Sequence, residues 1–120
     1  WLERYPGDDR VDLIGEDAYQ WGTEEDFVKQ MSADMALISK IAREHYKLLA
    51  VTECGYKNSP DATWWQRVLK PIIEPYPTLY ILPWRNYKKE HFGVAPETTT
   101  AQDFKAWVAT KKLLLLKGIK

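Results

Sequence analysis

Three short apolar runs, alternating with segments of helical period, predict an α/β fold in the order β-α-β-α-β-α on a parallel sheet. The runs are Val11 to Gly15, Leu48 to Thr52 and Thr78 to Leu82, and their apolar character suits strands covered by helices on both faces. Three parallel strands leave two edges unpaired. The chain therefore reads as a single partial domain spanning residues 1–120, a piece of an open sheet or of an eight-stranded (β/α)8 barrel of the TIM type.

Each element has a local reason. The first strand follows a turn signal, Pro6-Gly7-Asp8-Asp9. Thr23 with Asp26 resembles a capping box, and Phe27, Met31, Met35, Ile38 and Ala42 then recur at helical spacing to about Tyr46. Lys47 places a cation at that helix's end, before the second strand. Ser59 as N-cap and Pro60 at the first helical position predict a second helix through Trp64, Trp65, Val68, Leu69, Ile72 and Ile73, kinked at Pro71. Pro75 and Pro77 end it, and Pro83 stops the third strand. A long polar and aromatic loop runs from Asn86 to about Thr99, after which Thr100 and Asp103 start a last helix carrying Phe104, Trp107 and Val108.

Bulk composition excludes more than it identifies. Seventeen basic and seventeen acidic residues cancel, so neither nucleic acid nor an anionic membrane has an electrostatic footprint. The longest apolar runs, such as Leu113 to Leu116, are too short to span a bilayer. Cys54 is the one cysteine and cannot form an internal disulfide. The chain opens at Trp1 with residues that read as the inside of a domain, so targeting is not legible. Six Trp and seven Tyr raise the idea of a sugar site, since such rings stack on pyranose faces, although filling a core is their commoner use.

In α/β folds ligands meet the C-terminal ends of strands. Here those ends carry Glu16, Asp17, Tyr19 and Gln20, then Glu53, Cys54 and Gly55, then Trp84, Arg85 and Asn86. Glu53 is the sharpest of these, because a carboxylate directly after an apolar strand is costly unless hydrogen bonds or function explain it. Its plainer reading is a pair with Arg85; that of Trp84 is a core tryptophan; that of Asp17 and Tyr19 is an ordinary turn.

In order and spacing, the fragments RYPGDDRVDLIGEDAYQ, VTECGY, the WW pair of the second helix, LPWRN, the HF of the following loop and DFKAW resemble the C-terminal part of glycoside hydrolase family 26. That family is dominated by endo-β-1,4-mannanases. The resemblance covers nearly the whole chain and implies strands six to eight of a (β/α)8 barrel with retaining chemistry. It implies that Glu53 is the nucleophile, that Tyr19 orients it, that Asp17 binds around the cleavage subsite, that Trp84 is the platform beneath the sugar there, and that Arg85 contacts the neighbouring donor-side sugar. It also implies a β-mannan or related polysaccharide as substrate, no cofactor or metal, and a secreted or cell-surface location.

The resemblance places the acid/base Glu in a His-Glu pair after strand four, and no His-Glu dipeptide occurs here; His45 and His91 each follow a Glu instead. The sequence departs from the family pattern elsewhere too: Glu16 and Ala18 flank Asp17, Cys54 replaces a usual Thr, and Pro83 precedes Trp84. A like charge as close as Glu16 is expected to raise the pKa of a neighbouring carboxylate. The expectation is a fragment inactive alone, self-associating or covered by a partner chain. The alternatives are a non-catalytic carbohydrate-binding or assembly module, and a purely structural fragment.

Overall fold

In the computed structural model, which describes residues 2–85, 90–94 and 99–112, the elements follow the predicted order. A 3-10 turn at Leu2–Arg4 precedes β1 (Leu13–Gln20), α1 (Glu24–Glu44), β2 (Leu48–Tyr56), a π-helical turn (Trp65–Leu69) running into α2 (Lys70–Ile73), β3 (Thr78–Pro83), and α3 (Ala101–Trp107) continued by π turns to Lys112. The strands form one parallel sheet in the order β1-β2-β3. Asn86, most of the loop after it and the Leu113 to Leu116 run lie outside the described residues.

Helix α1 forms where the spacing placed it. Thr23 Oγ1 accepts from Asp26 N at 3.2 Å and caps the first turn. Phe27, Met31, Met35, Ile38, Ile41 and Ala42 form its buried stripe, packed with Ile14, Ala18, Val51 and Cys54 of the sheet.

The second helix departs from expectation at its start. Ser59 adopts a positive φ of 43° and its hydroxyl turns back to Tyr56 O, so it cannot cap and Pro60 is not the first helical residue. Asp61 serves the entry instead, accepting from Thr63 N at 2.8 Å, and helical structure begins at Trp64. The predicted kink at Pro71 takes the form of a π turn, in which Lys70 N–H reaches five residues back to Trp65 O. A proline ring clashes with the carbonyl four residues before it, and a widened turn relieves that clash.

Asp103 also has a different partner from the one predicted. Thr100 makes no side-chain cap to α3; Asp103 instead accepts from Gln66 N and Nε2 at 3.0 and 2.9 Å, tying α3 to the preceding helix. Trp64, Trp65 and Trp107 are fully buried there; Trp64 meets Trp65 edge to face, and Trp65 and Trp107 meet Phe104 in the same way. Three of the five described tryptophans are thus core.

Gln20 joins this core to the sheet. It is buried, and its Oε1 accepts from Trp64 Nε1 at 2.6 Å. Gln20→Leu is expected to strand the indole N–H and lower the unfolding free energy by about 1–3 kcal/mol, read from the urea midpoint. At the opposite, N-terminal end of the strands, Asp8 accepts from Tyr5 Oη at 2.8 Å, contacts His45 Nδ1 at 2.7 Å and bonds Lys47 Nζ through its backbone oxygen. Residues at that end of a parallel barrel serve the scaffold.

Candidate active site

The polar residues read as following the first two strands lie within them. β1 extends through Glu16, Asp17, Tyr19 and Gln20, and β2 through Glu53, Cys54 and Gly55. Alternation then sorts them: Ile14, Glu16, Ala18 and Gln20 face the helices, while Asp17 and Tyr19 face the other side of the sheet.

Glu53 reaches that same side through an irregularity. Glu16 pairs with Val51 but Asp17 pairs with Glu53, so Thr52 is an extra residue on β2. Val51 and Cys54 both enter the helix-facing core, three positions apart instead of two. A bulge of this kind turns two successive side chains to one face. Thr52 Oγ1 donates to Asp17 Oδ1 at 2.8 Å, and Tyr19 Oη donates to Glu53 Oε2 at 2.6 Å. The bulge therefore aligns two carboxylates of neighbouring strands, each held by a hydroxyl from the other strand.

The electrostatics follow from this packing. Burial first, then the hydrogen bond and charge of Glu53, with Asp17 and Cys54 adding to it, raises the Tyr19 phenol above its ordinary value, so the phenol remains a donor at neutral and moderately alkaline pH. Glu16 differs from the sequence reading: it lies on the helix-facing side, and burial, with Asp34 and then Asp17, lifts its own carboxyl to about 7. Cys54 is fully buried against Leu82 O, and burial pushes its thiol up.

Trp84 and Arg85 follow β3 on the other side of β2. Trp84 N donates to Cys54 O at 2.8 Å, which fixes the first residue after β3 beside the residue after Glu53. Trp84 is part-exposed and not a core tryptophan, and the Arg85 guanidinium lies 5.7 Å from its ring centroid. The three segments thus lie side by side with Asp17, Tyr19, Glu53, Trp84 and Arg85 at one end of the sheet.

Sequence reasoning missed Thr52, the bulge residue, and the part played by Phe92. Phe92 is buried across the end of β2, with its ring 5.4 Å from that of Tyr19 at an interplanar angle of 80°. A Cβ on Gly55 would stand 2.8 Å from Phe92 Cβ, and one on Gly93 would collide with Trp84 O, so both glycines permit this close approach. Asn58 N–H donates to His91 O at 2.7 Å and holds the same segment down. Among the described residues there is no cluster of three or more metal-ligating side chains, and no helix is long and apolar enough to cross a membrane.

A three-stranded parallel sheet with helices between its strands, open at both edges among the described residues, with polar groups gathered at the strands' C-terminal ends, has the form of a segment of an α/β enzyme, and the solved structures it matches make that segment part of a (β/α)8 barrel. No family model matches the chain. It is nevertheless similar to a glycoside hydrolase family 26 β-mannanase from Bacteroides ovatus, with a TM-score of 0.90 and 34% identity, covering 99% of this chain and 35% of that one. It is likewise similar to a modular endo-β-1,4-mannanase of the same family from Cellulomonas fimi, with a TM-score of 0.82 and 30% identity, covering 100% and 29%. A mannan endo-1,4-β-mannosidase of Bifidobacterium adolescentis is 28% identical over 102 residues, 72% of this chain and 10% of that protein. The chain belongs to glycoside hydrolase family 26, as a C-terminal part of its barrel, and spans about a third or less of these relatives' length.

Proposed function

We propose that this chain supplies the nucleophile-bearing part of a retaining endo-β-1,4-mannanase site, on strands six to eight of the completed barrel. Glu53 attacks the anomeric carbon, Tyr19 holds the attacking carboxylate, Asp17 and Trp84 bind the sugar at the cleavage subsite, and Arg85 contacts the next donor-side sugar. The observation that carries this reading is the 2.6 Å hydrogen bond from Tyr19 Oη to Glu53 Oε2, made across neighbouring parallel strands at their C-terminal ends. A nucleophilic carboxylate must present one oxygen in a fixed direction, and a phenol bound to the other oxygen achieves that without neutralising it.

Retention also requires a second carboxyl group, roughly 5–5.5 Å from the first, to protonate the leaving oxygen and later activate water. Asp17 is engaged by Thr52 on the strand beside Glu53, on the nucleophile's side of the ring. The sequence contains no His-Glu pair to serve as acid. The 120 residues by themselves are therefore expected to release no reducing ends from soluble β-mannan, since general acid catalysis alone contributes typically 10²–10⁴-fold. Release of reducing ends that disappears in Glu53→Ala overturns that expectation.

Leu79, Tyr80 and Leu82 of β3 are exposed, as is Leu48 of β2. An apolar edge of this kind favours association or a covering chain, and the further strands of a barrel are its natural cover. A secreted or cell-surface location accompanies the reading, because a polysaccharide of this size meets its enzyme outside the cell.

A further inference from the structure

Three of the described tryptophans are sealed in the core, but Trp21 is 63% exposed. It directly follows β1, so it stands at the same end of the sheet as Tyr19 and Glu53. Its position is fixed from two sides. The Trp21 ring lies 5.3 Å from that of Phe92 and 6.0 Å from that of Tyr19, and Phe92 closes the triangle against Tyr19. Lys57 Nζ, paired with Glu90 Oε1 at 3.1 Å, stands over the Trp21 ring at 5.3 Å. An indole left in water forgoes its hydrophobic stabilisation, while one ordered by its neighbours presents an apolar surface at little further entropic cost.

Resting on the mannanase reading above, we propose that Trp21 is a sugar platform on the leaving-group side of Glu53, binding one pyranose ring of a β-linked mannan chain. The strand order carries the direction: β2 bears Glu53 in the middle, Trp84 follows β3 on one side, and Trp21 follows β1 on the other. A chain whose donor ring lies toward Trp84 passes its leaving-group side over β1. There the indole takes the apolar ring face, and the Lys57–Glu90 pair offers a donor and acceptors to the hydroxyls at its rim. The Tyr19 ring, in contact with Trp21 and bonded to Glu53, makes this surface continuous with the nucleophile.

The test is titration of the full 120-residue chain with manno-oligosaccharides from mannobiose to mannohexaose. Trp21→Ala is expected to weaken mannohexaose roughly tenfold, with a smaller effect on mannobiose and an unchanged far-ultraviolet spectrum, whereas Trp21→Phe retains most of the affinity. Equal mannohexaose affinity in wild type and Trp21→Ala overturns the platform alone. Absence of binding to wild type at every length overturns the mannanase reading together with it. Should Trp21→Ala fail to fold, the indole N–H resonance of Trp21 in the wild-type chain decides: it shifts with saturating mannohexaose, and an unmoved signal overturns the proposal.

Discussion

Replacing Glu53 by Gln in a barrel completed with its upstream strands and acid/base carboxylate is expected to lower β-mannan turnover by on the order of 10⁴-fold or more, with folding intact. An amide keeps the shape and accepts the Tyr19 hydrogen bond through its carbonyl oxygen, yet it cannot donate an electron pair to the anomeric carbon as a carboxylate does. Reducing-end release measured at saturating mannan separates this from a binding defect. A rise in KM with kcat unchanged would instead make Glu53 a binding residue and contradict its role as nucleophile.

Tyr19→Phe carries the second largest effect. The phenol contributes one charge-assisted hydrogen bond, of the kind worth about 1.5–3 kcal/mol, so kcat is expected to fall roughly 10- to 100-fold. Stability should change little, because the ring and its packing on Phe92 remain. The expected signature is a loss in kcat with KM nearly unchanged, since the bond positions a reacting group and touches no remote sugar. The burial and negative charge that raise the Tyr19 phenol's pKa keep it protonated well into alkaline conditions, so its own ionisation should not set the upper limb of the pH profile. A wild-type alkaline limb that vanishes in Tyr19→Phe contradicts this.

The scaffold was legible where one physical signal decided the structure. Thr23 and the Phe27 to Ala42 stripe located α1, and the apolar runs located the starts of β2 and β3, with β1 beginning at Leu13 where the run began at Val11, because burial against helices demands apolar residues there. Strand ends were read short: β1 continues to Gln20 and β2 to Tyr56, since polar residues alternate toward the unfilled side of the sheet and break the apolar run without breaking the ladder. The helix caps differ for another reason, although α3 does start directly after Thr100. Ser59-Pro60 and Thr100 to Asp103 carry good local capping chemistry, yet a local turn takes Ser59 and leaves the entry to Asp61, while the tertiary partner Gln66 takes Asp103.

The candidate site divides the same way. The motif order drew attention to Glu53, Tyr19, Asp17, Trp84 and Arg85, and all five stand at one end of the sheet. What spacing did not contain is the extra residue at Thr52. Strict alternation from Val51 would set Thr52 and Glu53 on opposite faces of β2, and only the register shift turns both toward β1's Asp17 and Tyr19. Trp21 was likewise hidden among six tryptophans, three of which are core; its sole signal was a place immediately after a strand whose end had been set too early.

The most direct measurement uses a donor whose leaving group needs no proton. With 2-deoxy-2-fluoro-β-mannosyl fluoride, a Glu53 oxygen forms a bond to the anomeric carbon as the carbon–fluorine bond breaks and fluoride departs, so the missing acid is irrelevant to this step. Mass spectrometry of the treated 120-residue chain should find one fluoromannosyl adduct on the peptide holding Glu53, and none in Glu53→Gln. An adduct on a different carboxylate, or none in a chain that binds manno-oligosaccharides, contradicts Glu53 as the nucleophile.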